Sequence, residues 1–387
     1  MDSCRLIYLD NAATSYPKPP EVLGEVMRSL IQYGGNPGRG SHRLSVMASE
    51  KIYECREVTA SLFDVSDPER VFFTANATYA LNTVIKGLLR RGDHVLISDL
   101  EHNAVYRPIY KMASLGFIEY DIFDSLSSDP KRNAAKICGN IAKLMRKNTR
   151  LVVCTHQSNI CSVTMPIYEI SELCRRCGVL CVIDGAQSAG HMDISVDRSG
   201  VSALCLPSHK GLYGPQGCGM VILGKGVRLS TLAEGGNGVD SLDGKMPDFS
   251  PERYEAGTLP TPAIAGLCEG IKFVSSVGAE VCAEHDTELF RYTKDKLLNI
   301  AGVRIYLPER EGSTLLFNIE GLSSERVSEK LSKEGICVRG GYHCTALGHK
   351  TLGTTNGGGV RVSFGLFNDK QDIDRLAEAV ERIIKEK

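Results

Sequence analysis

VLCVIDGAQSAGHMDISVDRSGVSALCLPSHKGL, residues 179 to 212, holds the reading on which the rest depends. Its first apolar run ends in Asp184 and predicts a strand; a tight turn carrying Gln187 follows. A second run, Val201 to Leu206, predicts another strand, which delivers Ser208, His209 and Lys210 into a loop with Gly211, Gly214 and Gly217. Working outward, strand-like and helix-like segments alternate from residue 71 to about 223. That alternation argues for a mainly parallel sheet covered on both faces by helices, an α/β architecture. In such sheets ligands lie outside the carboxyl ends of the strands, where Thr78, His102, Asn159, Asp184 and Lys210 are all predicted to fall.

An acid at the end of one strand and a lysine just beyond the next suit a cofactor with a basic ring nitrogen on one side and an aldehyde on the other. Pyridoxal 5′-phosphate is such a cofactor: the acid keeps the ring nitrogen protonated and the amine forms an imine with the aldehyde. Either residue alone is far more often an ordinary Asp-Gly turn or a surface lysine; their ordered pairing, with His209 before the lysine and the glycines after it, reverses that reading. The helix start near Asn76, Ala77 and Thr78 offers free N–H groups and a positive dipole end, open to a phosphate or to ordinary capping. His102 heads a further predicted helix, as a cap or as an imidazole stacked on a pyridine ring and shuttling protons near neutral pH. The loop GGNPGRGSHRLS, with Arg39, His42 and Arg43, fits a ligand contact or a solvated connector.

The chain of 387 residues is long for one core and 42% hydrophobic, enough for two domains. We place a large domain at 16–256 and a smaller α+β domain at 1–15 with 257–387, joined through the turn-rich loop 232–262. With 45 basic against 46 acidic side chains, no net field recruits nucleic acid or an anionic membrane, and a small partner is expected. The 14 cysteines sit mostly in apolar runs such as LVVCT, as small core side chains rather than a disulfide framework. Cys174 and Cys177 form CxxC without a second pair, so packing is expected and no metal. No run reaches membrane-spanning length and the start MDSCRLIYLDN is not a signal sequence, which fits the cytoplasm.

Nearly the whole chain resembles the fold-type I pyridoxal-phosphate enzymes of the class V aminotransferase group, and within it the SUF-type cysteine desulfurases and selenocysteine lyases. The likeness is carried in order by YLDNAATS, GSHRLS, SDLEHNA, THQSN, VIDGAQSAG, SHKGLYGPQG, YEAGT, VRGGYHC and VRVSFGLFN. It implies that Lys210 is the Schiff-base lysine, Asp184 the partner of the ring nitrogen, Gln187 a donor to the ring hydroxyl and His102 the stacking base. Asn159 is implied near the ring and the substrate carboxylate, Arg361 as that carboxylate's clamp, and His42 as a further substrate contact. Ala77, Thr78, Ser208 and His209 are implied to surround the phosphate, joined by Thr258 from the other subunit of a homodimer. Cys344 matches the sulfur-accepting nucleophile, its thiolate favoured by Arg339 or a protonated His343. The implied reaction takes cysteine to alanine, leaving a persulfide on Cys344 for a sulfur-acceptor protein. Selenocysteine is the alternative substrate; another aminotransferase or lyase with Cys344 a bystander is the alternative activity. The chain departs from the group in having Pro207 for a hydroxyl residue, Ser208 for glycine and Ala77 for a frequent threonine, from which a weaker phosphate cup is expected.

Overall fold

The computed structural model describes residues 6–38, 40–126 and 133–387; Cys4, Arg39 and the first five positions of the 1–15 segment lie outside them. A seven-stranded sheet runs in spatial order Val71–Thr74, Gly219–Leu223, Ala203–Pro207, Leu180–Asp184, Thr149–Thr155, His94–Ser98, Glu119–Phe123. All neighbours are parallel except Gly219–Leu223, which is antiparallel to both strands beside it. His94–Ser98, Ala203–Pro207 and Gly219–Leu223 are buried at every position. Helices cover both faces of such a strand, so its sequence is a continuous apolar run and not an alternation. Two cores form on opposite faces: one holds Leu96, Val152, Ile183 and Leu206, the other Val95, Val153, Val182 and Val221.

A second unit is built on an antiparallel sheet ordered Arg339–Gly341, Gly359–Ser363, Thr314–Ile319, Val303–Tyr306. Ile7–Tyr8 pairs in parallel with Ile336–Cys337, and Asp10 bridges to Ser363, so the amino-terminal segment is sewn to the carboxyl-terminal unit. Its core gathers Ile7, Leu9, Phe290, Phe317, Val360 and Leu376. The segment GICVRGG forms two short strands, because residues 336–337 and 339–341 pair with different partners.

Helix Thr261–Val277 places Ile264, Leu267, Cys268 and Ile271 in the core of the large sheet. We therefore propose moving the boundary from 257 to Gly278, leaving 1–15 and 278–387 as the smaller unit. Among the described residues no helix is long and apolar enough to cross a membrane. Glu54, Cys268 and Glu269 bring ligand atoms within 4.8 Å of one another, but the Lys51 and Lys272 ammonium groups already bond Glu54 and Glu269. Of the CxxC pair, Cys174 is buried and Cys177 exposed.

Candidate active site

At the carboxyl end of the large sheet a cavity of about 210 Å³ brings together Ala77, Thr78, His102, Asn159, Asp184, Gln187, His209, Lys210, Cys344 and Arg361. Local sequence explains how they converge. Asp184 is the last residue of its strand, and Lys210 lies just past the next. The loops carrying them are pressed together at glycines: a Cβ on Gly211 would stand 2.2 Å from the Ala189 carbonyl oxygen, and Gly190 faces Gly211 with φ +83. Any side chain at Gly211 would push Lys210 out of place.

The helix Ala77–Leu88 starts at the cavity, held close to strand Gly219–Leu223 because a Cβ on Gly219 would lie 2.5 Å from the Asn76 carbonyl carbon. Asn76 caps the helix by accepting from the Tyr79 N–H, leaving the Ala77 and Thr78 N–H groups without partners among the described residues.

Lys210 Nζ makes no hydrogen bond or ion pair among the described residues. Burial lowers its pKa to about 8, against the pull of Asp184, so far more of the amine is neutral and nucleophilic near neutral pH than in an exposed lysine. Asp184 accepts from the Ala186 N–H at 3.0 Å; burial raises its pKa, and Lys210 opposes the rise. Gln187 donates one amide hydrogen to the Ala12 carbonyl at 3.0 Å and keeps the second. His209 Nδ1 and Arg361 Nε are buried without partners among the described residues. The site thus presents an uncommitted amine, a carboxylate and anion-binding N–H groups, the donor set that a phosphorylated pyridine aldehyde requires.

The structure corrects several expectations. His102 caps its helix by accepting from the Ala104 N–H at 3.0 Å through Nδ1, and burial followed by Lys210 lowers its pKa to about 3. It is neutral with Nδ1 spent, so a proton shuttle near neutral pH does not follow; a flat imidazole beside the cavity does. His343 is not protonated either: burial, then Arg361, lowers it to about 3. The Ser208 hydroxyl donates to the Pro215 carbonyl and is fully buried outside the cavity, so it is not a phosphate ligand; Pro207 takes the lining position. His42 is exposed, caps helix Arg43–Leu62 through Nδ1 at 3.3 Å and lines no part of this cavity. Within one chain Thr258 lines a different cavity, with Thr74, Tyr79 and Ala256.

Asp10 and Glu101 are residues that sequence reading did not single out. Asp10 accepts from Arg361 at 2.6 Å, while the other terminal nitrogen of Arg361 donates to the Asn159 carbonyl at 3.1 Å. Arg361 is 2% exposed, and these two bonds hold it with donors to spare. Only the placement of Asp10 directly after a strand in YLDNAAT was available as a signal.

Glu101, beside His102, is fully buried; it accepts from the Ser98 hydroxyl and, at 2.8 Å, from the Thr155 N–H, while Oε2 has no partner among the described residues. Burial raises its pKa to about 8. A carboxyl raised on folding contributes stability that is complete below its unfolded pKa, near ~4.3, and is lost as pH rises through the folded value. Glu101→Gln should therefore remove a slope of about one proton from stability between roughly pH 4.3 and 8. Denaturant melts of variant and parent across that range check it; parallel pH profiles would refute it.

The family description "aminotransferase class-V" matches residues 7–376. The chain is 31% identical to a probable cysteine desulfurase of Halalkalibacterium halodurans, over 97% of this chain and 93% of that one. It is 32% identical to a probable cysteine desulfurase of Methanothermobacter thermautotrophicus, over 97% and 94%. Among solved structures it is similar to the apo cysteine desulfurase of Thermococcus onnurineus NA1, with TM-score 0.87 and 28% identity, covering 99% of this chain and 95% of that one.

Proposed function

The chain belongs to the class-V aminotransferase family, whose members use pyridoxal phosphate, and from that premise we propose that it is a cysteine desulfurase. One observation carries the reading. Among the 13 described cysteines only Cys177 and Cys344 are exposed, and only Cys344 lines the cavity that holds Lys210.

When bound, pyridoxal phosphate supplies an electron sink that stabilises negative charge at the substrate's Cα and weakens its Cβ–S bond. The chain supplies the rest. Ala77 and Thr78 N–H groups and His209 would hold the phosphate, Asp184 the ring nitrogen, Gln187 the ring hydroxyl, and His102 would cover the ring face. Arg361 would take the substrate carboxylate through its remaining donors, and the Asn159 amide oxygen, without a partner among the described residues, would lie beside it. Lys210 Nζ takes the Cα proton and delivers protons to Cβ and back to Cα. The Cys344 thiol takes the sulfur: the Cβ–S bond breaks, an S–S bond forms, and the thiol's proton joins the one that Lys210 took from Cα, so that one proton goes to Cβ and one returns to Cα. Cysteine and Cys344–SH become alanine and Cys344–S–SH, with no external oxidant or reductant.

Thr258, pointed at a separate cavity, would complete the phosphate site of a second copy in a homodimer. A cytoplasmic setting and a protein acceptor that collects the persulfide at the exposed Cys344 complete the proposal. Product analysis of the reconstituted protein, with cysteine and selenocysteine side by side, tests it. Alanine from cysteine, with sulfur bound to Cys344, is expected. A keto acid as product, or alanine from selenocysteine alone, would overturn it.

A further inference from the structure

His343 and Cys344 adopt left-handed backbone angles, φ +50 and +54. Neither is glycine, and a residue with a side chain keeps such angles only where its surroundings enforce them. Three anchors come from the loops and the helix start that follow strands of the large sheet. Asn103 N–H donates to the Cys344 carbonyl at 2.7 Å, the Asn159 amide to the His343 carbonyl at 2.8 Å, and the Thr345 hydroxyl to the Glu101 carbonyl at 3.0 Å.

The fourth anchor is a chain of buried side chains. His343 Nε2 lies 3.0 Å from the Arg339 carbonyl, His343 Nδ1 lies 3.2 Å from His349 Nε2, and His349 Nδ1 lies 2.7 Å from the Thr354 hydroxyl. His343, His349 and Thr354 are 5%, 1% and 2% exposed. A carbonyl only accepts, so His343 Nε2 bears the proton and a neutral His343 offers a lone pair at Nδ1. His349 must then donate from Nε2, which leaves its Nδ1 to accept from the Thr354 hydroxyl, at 2.7 Å the shorter of that hydroxyl's two contacts, the His349 carbonyl lying at 3.4 Å. Every proton points the same way, from Thr354 through both imidazoles to Arg339, and the chain brackets Cys344 between residues 339 and 354. Burial lowers both histidines, in keeping with two neutral rings.

We propose that His349, oriented by Thr354, is a positioning residue that fixes the His343 tautomer and thereby holds the Cys344 thiol at the cavity. Without its donor, His343 Nδ1 is a buried acceptor with no partner, and the ring is free to turn and release the two left-handed residues. The inference rests on the desulfurase reading for what the thiol does, but not for how it is held.

His349→Phe removes both links and keeps a flat ring; His349→Gln keeps one amide N–H to give His343. In the reconstituted protein His349→Phe should leave cofactor titration and the KM for cysteine near parental while kcat for alanine release falls roughly 10- to 100-fold. His349→Gln should recover most of that loss. Independently of turnover, iodoacetamide labelling of Cys344, followed by peptide mass, should change rate several-fold in His349→Phe and not in His349→Gln. Where the phenylalanine variant does not fold, Thr354→Val, which unties only the far link, should shift the same two readouts. Parental kcat and labelling in the folded variants would overturn the inference. A parent that makes no alanine would sink the desulfurase reading alone, because labelling still decides the positioning.

Discussion

Lys210→Ala is expected to reduce alanine release from cysteine by roughly 10⁴-fold or more, while the protein still binds pyridoxal phosphate without a covalent link. The size follows from two tasks resting on one atom. On the proposed reading Nζ would be the nucleophile that tethers the cofactor, and the same amine would move protons to and from Cα and Cβ. Its environment suits both: burial brings it to about 8, and among the described residues it has no hydrogen-bond or ion-pair partner to displace. Lys210→Arg should be equally inactive, since a guanidinium remains charged at every accessible pH and cannot act as a nucleophile. Borohydride treatment followed by intact mass should add the cofactor to the parent chain and not to either variant. Retention of a tenth of the parental rate by Lys210→Ala would show that another group does the proton transfer.

Much of this site was legible in the residues because parallel strands buried on both faces are written as continuous apolar runs, and ligands gather where those runs end. Leu180–Asp184 and Ala203–Pro207 were placed that way, and Lys210 with them. Glu119–Phe123 was not, since this edge strand mixes exposed and buried positions and its sequence, EYDIF, carries no such run. The core assignment of helix Thr261–Val277 depends on packing against helices over 200 residues earlier in the chain, which no local pattern records.

Side-chain direction was a second limit. Ser208 reads as a phosphate-binding hydroxyl until the turn back towards strand Gly219–Leu223 brings the Pro215 carbonyl to it. His343 reads as a cation beside a thiol until burial and the Arg339 carbonyl fix it as a neutral donor. The bond from Arg361 to Asp10 joins residues at opposite ends of the chain, where only the fold brings them together.

Cys344→Ala separates sulfur transfer from everything that precedes it. The substitution leaves Lys210, Asp184 and Arg361 in place, so binding of cysteine and labelling of Cα by solvent deuterium should persist at near-parental rates. Multiple-turnover alanine release without added reductant should fall at least about 100-fold, because no thiol in the cavity remains to form the S–S bond as the Cβ–S bond breaks. The other exposed cysteine, Cys177, caps a helix elsewhere and does not line this cavity. With selenocysteine the loss should be smaller: the Cβ–Se bond is weaker, and selenium leaves with less need of an acceptor. That difference between substrates is the decisive quantity, since general damage to the site would depress both alike. Undiminished alanine release from cysteine would make Cys344 a bystander and point to lyase chemistry in which sulfur departs without a protein acceptor.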